Sequence, residues 1–508
     1  MKGKLELTWA GKDEPLLIEP RILLYDEKNS YGAQNTENML IHGDNLLALK
    51  ALEKKYAGKV KCIYIDPPYN TGSAFEHYDD NYEHSQWLNL MKCRLEILRN
   101  LLSTSGFIFV QIDNYEMAYL KILLDEIFGR NCFINDIVWK RKGGSVNPRN
   151  KLNNNTDYIL WYSKVSNTDI FPVYTKDDQE TLDYIKKRFK YKDEDGRVYR
   201  LSPIISPTYS PTLVYEYKGY KPPQNGWSLS RSKMEEFERE GRLYMPENKT
   251  QRIQRKQFLD EYKGRPIGNL WTDINVINPM SQERLEFTGQ KPEILIKRCL
   301  ELTTQPGDLV LDSFLGSGTT AAVAHKMNRR YIGIEMGEHA YTHCKTRLDR
   351  VIDGTDAGGI TKAVNWQGGG GYSFYELAPT LVNIDSHGEP VISKEYNAEQ
   401  LAAAVALHEG YTYSPDPQCF WKQAKGSNNS YLFVTTQAID FPYLDIISKE
   451  MKPGEYLTIA ATTLPTEMKK PYRYISLKYI PQMLLKKCKF GVTNDYELPI
   501  IEPPKVEE

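Results

Sequence analysis

Short apolar runs alternate with amphipathic stretches along residues 39–138. The runs LIHGD, VKCIYID and FIFVQID are typical of buried strands. The stretches between them, at residues 45–56 and around Gln86–Leu102, carry apolar residues at helical spacing. Strands that are separated by helices predict βαβ units and a parallel sheet.

The same pattern returns at residues 291–350. It predicts a helix over Pro292–Thr303, the strand DLVLD, a helix after Gly318, the strand YIGIE and a further helix. The interval 140–280 is richer in Pro, Gly, Tyr and charge, with a strand candidate TLVYEY and a helix near Ser230–Glu240. The simplest architecture is one α/β domain built from two separated halves, with a mixed insertion between them.

Four consecutive glycines, Gly368–Gly371, mark a flexible or tightly turning segment before a third α/β stretch. The segments LAAAVALHE, SYLFVTT, YLDIISKEM and YLTIAAT carry strand and helix signals of their own. The predicted domains are an N-terminal arm (1–37), two halves of the main domain (38–164 and 286–355), the insertion (165–285) and a small C-terminal α/β domain (372–508).

The overall charge is nearly balanced, with 65 Lys and Arg against 66 Asp and Glu. Binding to nucleic acid needs only local positive charge, so the balance does not exclude it. Residues 184–200 combine basic and aromatic residues, although such a cluster is more often a solvated face. The candidate DNA contacts are Lys140, Arg141, Lys142, Lys187, Arg188, Arg252 and Arg255.

The seven cysteines are scattered and include no CxxC pair. This is typical of reduced thiols in a cytoplasmic protein without a zinc site, and we predict no metal site. The N-terminus lacks the apolar stretch of a secretory signal, and no run of apolar residues is long enough for a membrane span. We therefore predict a cytoplasmic protein that does not bind a membrane.

The first chemical motif, Asp66-Pro67-Pro68-Tyr69, follows a predicted buried strand. Ligands of open α/β sheets bind at the carboxyl ends of the strands, and prolines make the segment stiff. The Asp66 carboxylate and the Pro67 carbonyl are suited to hold both hydrogens of a planar NH₂ group, while Tyr69 stacks on a base taken out of the duplex. The alternative is a strand-terminating turn with a surface tyrosine.

The second motif lies in residues 308–335, where the apolar run before Asp312 leads into the glycine turn Gly316-Ser317-Gly318. Glycines let a ligand approach the backbone, and an acid about 20 residues on, here Glu335, is placed to bind ribose hydroxyls. A dinucleotide fold is the obvious alternative. However, position 321 is Ala where that motif has its third glycine, and Asp312 suits an ammonium group better than a pyrophosphate. The pattern favours S-adenosylmethionine.

Together the two motifs resemble the amino-methyltransferases of DNA in the permuted β order, with DPPY first and an FxGxG-type motif at 314–318 far downstream. More closely, the chain resembles the modification subunits of Type III restriction–modification systems and their solitary relatives, over roughly residues 38–500. Further segments that carry the resemblance are HGDNL (42–46), NTDYIL (155–160), LWTD (270–273), QKPE (290–293), RRYIG (329–333), YNAE (396–399) and VTTQ (434–437).

The resemblance implies a Rossmann-like methyltransferase fold that transfers a methyl group from S-adenosylmethionine to adenine N6 in double-stranded DNA, in a restriction or defence context. It implies that the insertion reads base edges in the major groove. It leaves open a homodimer and a helicase–nuclease restriction subunit as partners. Asp44 would lie near the cofactor adenine and Lys291 would close over its methionine side. The full cofactor set is Asp44, Lys291, Asp312, Phe314, Gly316, Gly318, Thr319 and Glu335.

Other functions stay open at this stage. Cytosine-N4 methylation uses the same chemistry, although those enzymes more often begin the motif with Ser than with Asp. A DNA-recognition subunit of a nuclease complex would keep the fold without catalysis, and an RNA methyltransferase is compatible with DPPY alone. Cytosine-C5 methylation is excluded, because it needs a cysteine after proline and no Pro-Cys dipeptide occurs.

Overall fold

The computed structural model describes residues 6–14, 18–70, 83–141, 152–176, 178–465 and 472–485. The chain forms two compact units, one of residues 1–171 with 274–508 and the other of residues 172–273. The division into five segments stays a prediction. Among the described helices, none combines the length and apolar content that crossing a membrane requires.

Strands and helices alternate in the first half of the larger unit, as the apolar pattern predicts. They are β1 (Leu23–Gly32), β2 (Met39–His42), α1 (Asn45–Tyr56), β3 (Val60–Ile65), α2 (His84–Leu101), β4 (Leu102–Ile112), α3 (Met117–Phe128), a 3₁₀ turn (Arg130–Cys132), β5 (Phe133–Lys140) and β6 (Thr156–Ser163).

The smaller unit is built from short strands around two helices. Its elements are β7 (Tyr174–Thr175), α4 (Gln179–Arg188), β8 (Tyr191–Lys192), β9 (Val198–Pro203), a 3₁₀ turn (Pro211–Leu213), α5 (Arg231–Arg239), β10 (Leu243–Tyr244), β11 (Gln254–Phe258), β12 (Arg265–Pro266) and β13 (Leu270–Trp271). Strands β10, β11, β9 and β8 form one antiparallel sheet.

The predicted strand TLVYEY is wrong. Its first residues belong to the 3₁₀ turn, and its backbone bonds to Trp227 rather than to a neighbouring strand. The Trp227 amide donates to the Leu213 carbonyl, and the Trp227 indole donates to the Tyr215 carbonyl. Since Trp227 is fully buried, these apolar residues enclose a tryptophan instead of extending a sheet.

The second half of the larger unit resumes the alternation and then adds further α/β structure. Its elements are α6 (Glu293–Thr303), β14 (Leu309–Asp312), α7 (Thr319–Lys326), β15 (Arg330–Glu335), a π-helical turn (Ala340–Lys345), α8 (Thr346–Ile352), β16 (Gly371–Leu377), β17 (Val382–Ile384), β18 (Pro390–Ile392), α9 (Ala398–His408), β19 (Thr412–Tyr413), β20 (Ala424–Lys425), β21 (Ser430–Ala438), α10 (Phe441–Glu450), β22 (Tyr456–Thr463), β23 (Ile475–Tyr479) and α11 (Ile480–Leu485).

One large sheet joins the two halves in the order β1-β16-β2-β15-β14-β3-β4-β6-β5. The strands from β16 to β4 run parallel, while β1, β6 and β5 are antiparallel to their neighbours. Val310 pairs with Cys62 and Leu311 with Ile63, so β14 and β3 are adjacent despite their separation in sequence. This confirms the predicted α/β fold built from two separated halves.

The parallel centre of the sheet is covered on both faces, since successive residues of β3 and β4 are buried without alternation. The residues beyond β16 form a second, five-stranded sheet, β19-β20-β21-β22-β23, with cores of its own against α9 and α10. Because parallel strands end at a common edge, the carboxyl ends of β3, β14 and β15 lie side by side.

Candidate active site

The two predicted motifs meet at this edge of the sheet. Asp66 follows β3, while Asp312 and Glu335 are the last residues of β14 and β15. A cleft with a cavity of about 160 Å³ opens there. Its wall includes residues of both motifs, namely Asp66, Pro67, Pro68 and Tyr69 of the first and Phe314, Gly316 and Glu335 of the second. The predicted catalytic and cofactor segments therefore share one cavity.

Both oxygens of the Asp66 carboxylate have partners. The Tyr69 hydroxyl donates to Oδ1 at 2.7 Å, and the Lys291 ammonium binds Oδ2. Lys291 Nζ also lies 5.5 Å from the centre of the Tyr69 ring. The structure thus places Lys291 beside the predicted catalytic carboxylate. The resemblance implied a position over the methionine side of the cofactor.

The DPPY loop is held from behind by α2 and by the turn before α3. The Trp87 indole is fully buried and donates to the Pro68 carbonyl at 2.8 Å. The Asn70 side chain, on a residue with φ of 56°, donates to the Glu116 carboxylate at 2.8 Å. The Pro68 carbonyl is therefore occupied by the scaffold, while Pro67 lines the cleft.

A chain of buried polar side chains runs beneath Tyr69 across three strands. The Tyr64 hydroxyl on β3 donates to Gln111 Oε1 on β4, and Gln111 Nε2 donates to Asp157 Oδ2 on β6 at 3.0 Å. Asp157 and Gln111 have no exposed surface. Burial raises the pKa of Asp157, although Lys291 and Arg141 oppose this effect. The sequence motifs did not identify these residues as part of the site.

The glycine turn needs glycine for geometric reasons. Gly316 and Gly318 have φ of 57° and 81°, a region that side chains disfavour, and a Cβ at position 318 would lie 3.2 Å from Cys344 Cα. Glu335 closes the turn by accepting the Gly316 amide at 2.5 Å. The same carboxylate accepts from the Met336 amide at 2.8 Å.

Asp312 is buried at the base of the turn. Its carboxylate accepts from the Phe314 amide at 2.9 Å and from the Thr320 hydroxyl at 2.6 Å. Burial raises the pKa of Asp312 to about 7, well above the ordinary range of an aspartate. Thr319, the next residue of the predicted set, is also buried and accepts a hydrogen bond from Arg347 at 2.8 Å.

Asp44 is not part of the cleft wall that the structure describes. It caps α1 by accepting the Leu47 amide at 3.0 Å and lies 3.4 Å from the buried guanidinium of Arg94. Its neighbour Asn45 lines the cleft instead and donates to the Ser313 carbonyl at 2.7 Å. The predicted role of Asp44 beside an adenine stays a prediction.

The predicted DNA contacts have different environments. In the larger unit, Lys140 is exposed, Arg141 lines the cleft with Nε 3.3 Å from Asp157 Oδ1, and Lys142 lies outside the described residues. In the smaller unit, Lys187, Arg188 and Arg252 are exposed. Arg255 instead lies over the Phe237 ring at 4.9 Å and contributes to packing.

Comparison with known proteins identifies the class. Residues 60–346 match the family model described as DNA methylase, which covers more than half of the chain. The chain therefore belongs to the DNA methylase family.

Two named relatives are similar to most of this chain. The chain is 39% identical over 410 residues to the Haemophilus influenzae protein named "Probable type III restriction-modification enzyme HindVI Mod subunit", which covers 68% of this chain and 54% of that protein. It is 32% identical over 425 residues to the type II methyltransferase M.EcaI of Enterobacter cloacae, which covers 80% of this chain and 90% of that protein. The chain spans about half the length of the HindVI protein.

A solved structure also aligns with the chain. The crystal structure of the M1.HpyAVI–SAM complex has a TM-score of 0.33 and 19% identity, over 61% of this chain and 99% of that one.

Proposed function

We propose that this protein methylates the N6 amino group of adenine in double-stranded DNA, with S-adenosylmethionine as the methyl donor. The observation that carries the proposal is the single cleft shared by the DPPY motif and the glycine turn. The names of the relatives support a modification role, since the HindVI protein is named as a Mod subunit and M.EcaI as a methyltransferase.

The cleft fits a cationic adenosine cofactor. Two carboxylates, Asp312 and Glu335, end the strands beneath the glycine turn. Ser313 Oγ is buried and has no hydrogen-bond partner within the part of the chain that the structure describes. Asp312 and Glu335 would hold the amino-acid and ribose ends, and the cofactor supplies an electrophilic methyl group when bound.

The reaction then depends on how the protein holds the target amine. The lone pair of an exocyclic amine is delocalised into the ring, which makes the nitrogen a poor nucleophile. Asp66 and the Pro67 carbonyl accept the two amine hydrogens and favour a pyramidal nitrogen. The rate comes from proximity and in-line orientation, and the amine proton leaves during or after transfer with Asp66 as its acceptor.

The experiment that tests this function is expression in a host without DNA methylation. Digested DNA is analysed by mass spectrometry, and modified-base sequencing locates the sites. N6-methyladenine at one sequence motif, absent from cells that carry the empty vector, is the expected result. N4-methylcytosine would replace the adenine assignment, and unmodified DNA would contradict the proposal.

The proposed function also suggests partner proteins and a cellular compartment for this chain. The relatives favour a restriction–modification setting, in which a helicase–nuclease subunit would act with this chain, and a homodimer stays open. The described cysteines are free thiols, as a reducing cytoplasm favours: Cys62, Cys93, Cys132, Cys299, Cys344 and Cys419. Cys488 lies outside the described residues.

Replacing Glu335 with alanine is expected to weaken S-adenosylmethionine binding by about tenfold to a hundredfold, because the variant loses both a ribose acceptor and the Gly316 anchor. DNA affinity should change less than about twofold. Isothermal titration with the cofactor and fluorescence anisotropy with DNA measure the two affinities. Glu335→Gln keeps an acceptor for the Gly316 amide, so its cofactor affinity should lie between that of the wild type and that of Glu335→Ala. An equal loss of both affinities in a folded variant would contradict the ribose role.

Cofactor affinity is expected to depend on pH through Asp312, whose pKa burial raises to about 7. A bound ammonium favours the carboxylate, so binding below pH 7 must release the proton that Asp312 carries. The affinity should therefore fall as the pH drops, by up to about tenfold per pH unit, and level off above about pH 7. Titrations at several pH values measure this. Asp312→Asn should bind the cofactor weakly, with an affinity that does not change with pH. A wild-type affinity that does not change with pH would contradict the role of Asp312 in binding the ammonium group.

Replacing Lys187 and Arg188 together with alanine is expected to weaken DNA binding, since both side chains are exposed in the last turn of α4. Loss of two phosphate contacts should reduce the slope of log affinity against log salt by about 1.8. Binding measured at several salt concentrations gives the slope. Lys449→Ala, an exposed cation on α10, is the matched control. An unchanged slope would assign the cluster to a solvated face.

A further inference from the structure

The Tyr69 hydroxyl lies between two carboxylates. It donates to Asp66 Oδ1 at 2.7 Å, and Asp157 Oδ2 lies 3.4 Å away. Burial, Asp66 and Asp157 all raise the pKa of Tyr69 well above its ordinary value, so the hydroxyl keeps its proton. A neutral hydroxyl has one proton and can make a full hydrogen bond to only one of the two carboxylates at a time.

Asp157 is fixed as an acceptor. Tyr64 donates to the Gln111 carbonyl oxygen, and this sets the direction of the Gln111 amide. The amide nitrogen must then point at Asp157 Oδ2, which it reaches at 3.0 Å. Strand pairing in this region, with Gln111 opposite Ile159, holds β4 and β6 in register. Asp157 therefore offers a preorganised oxygen close to Tyr69.

Asp66 has no oxygen without a partner in the structure, since Oδ2 binds Lys291 and Oδ1 binds Tyr69. Each of these oxygens can accept a second hydrogen bond, so a target amine that donates to Asp66 either shares an oxygen with Lys291 or Tyr69 or displaces one of them. The contact with Lys291 joins two opposite charges, whereas the Tyr69 hydroxyl is neutral and has a second acceptor within reach. Among the described residues, the Lys291 ammonium would keep only the Gly289 carbonyl at 3.1 Å and would lose the Asp66 carboxylate, whereas the Tyr69 hydroxyl has a second carboxylate within reach, so the contact with Tyr69 costs less to change.

We propose that Asp157 is a positioning residue, which takes over the hydrogen bond of the Tyr69 hydroxyl when the target amine engages Asp66. This inference rests on the proposed function. The transfer of the hydrogen bond vacates Asp66 Oδ1 for the amine and keeps the Tyr69 ring in place as a stacking plane. Asp157 acts through Tyr69 and does not contact the reacting atoms.

The direct test needs neither DNA nor cofactor. A double-mutant cycle of Asp157→Ala and Tyr69→Phe is measured by chemical unfolding, once in the wild-type background and once with Asp66→Ala. Without Asp66 the hydroxyl has only Asp157 to bind. The coupling between the two sites should rise by about fivefold or more in the unfolding equilibrium constant, whereas it stays near twofold with Asp66 present. Equal coupling in both backgrounds would overturn the proposal.

Two further variants serve as a substitute for Asp157→Ala and as a control for the cycle. Asp157→Leu keeps the number of side-chain heavy atoms without an acceptor and replaces the alanine variant if that one does not fold. Ser163→Ala removes a different buried hydroxyl from the same strand, and its effect should add independently to that of Tyr69→Phe in both backgrounds. Coupling at Ser163 as large as at Asp157 would mean that the strand responds as a whole, which would also overturn the proposal.

The second test is kinetic and uses the DNA site that sequencing identifies. Asp157→Ala should slow single-turnover methylation by about tenfold to a hundredfold in the wild type but less than about threefold in the Tyr69→Phe background. Asp157→Asn, which keeps one acceptor oxygen, should recover part of the rate. An equal loss in both backgrounds would overturn the proposal. Absence of methylation by the wild type would remove the proposed function instead, and the DNA-free cycle would still decide the role of Asp157.

Discussion

Replacing Asp66 with alanine is expected to lower the single-turnover rate of methyl transfer by about a thousandfold or more, while cofactor affinity stays within a few-fold. The side chain lies at the carboxyl end of β3 in the shared cleft, where it can accept a hydrogen of the target amine. The glycine turn and Glu335 belong to other strands and do not bond to Asp66, so the cofactor end should persist. Rapid-quench kinetics with labelled cofactor measure the rate, and titration measures the affinity.

The Asp66 variant needs a control for charge. Asp308 precedes β14 at the opposite edge of the sheet, where its carboxylate accepts from the Gln305 amide, and Asp308→Ala should retain the wild-type rate. Removing Asp66 also leaves the Lys291 ammonium without its carboxylate, so the melting temperature of the variant is measured as well. A folded Asp66→Ala protein with full activity would contradict the proposed role of Asp66 in holding the target amine. It would also contradict the proposed transfer of the Tyr69 hydrogen bond to Asp157.

The sequence predicted the sheet well because the signals for parallel strands are local. An apolar run that ends in an acid before a glycine turn specifies a strand and the start of a helix, as in β14, Gly318 and α7. Two such segments at the carboxyl ends of parallel strands must lie at one edge. This is why residues as distant as Asp66 and Glu335 were expected in one cleft, and the structure places them there.

The buried residues beneath Tyr69 were missed because nothing local marks them. Asp157 stands at the start of β6, and it reaches the site only because β6 pairs antiparallel with β4 and so begins at the edge where β4 ends. A single acid before an apolar run is equally typical of a solvated turn. The available signal was its place in the NTDYIL segment, which carries part of the resemblance. Arg141 was grouped with DNA contacts for a similar reason, since a basic triplet does not show which side chain turns inward.

A buried ion cluster lies beside the glycine turn. Glu293, the first residue of α6, is fully buried and accepts from Lys326 Nζ at 2.9 Å on both oxygens. Arg347 donates to the same carboxylate at 2.8 Å and also to Thr319 of the glycine-turn helix. The cluster therefore links the helix that follows Lys291 to the segment that follows Gly318.

Replacing Glu293 with alanine is expected to lower the free energy of unfolding by about 3–5 kcal/mol, because it leaves the charges of Lys326 and Arg347 buried without their shared carboxylate. Denaturant titration measures this loss. Glu301→Ala, on the same helix, removes only a partly exposed pair with Lys297 and should cost less than about 1 kcal/mol. If the two variants were equally stable, Asp356, which also lies 2.9 Å from Lys326, would have to neutralise the cluster without Glu293. The buried carboxylate would then not be what holds α6 against the glycine turn.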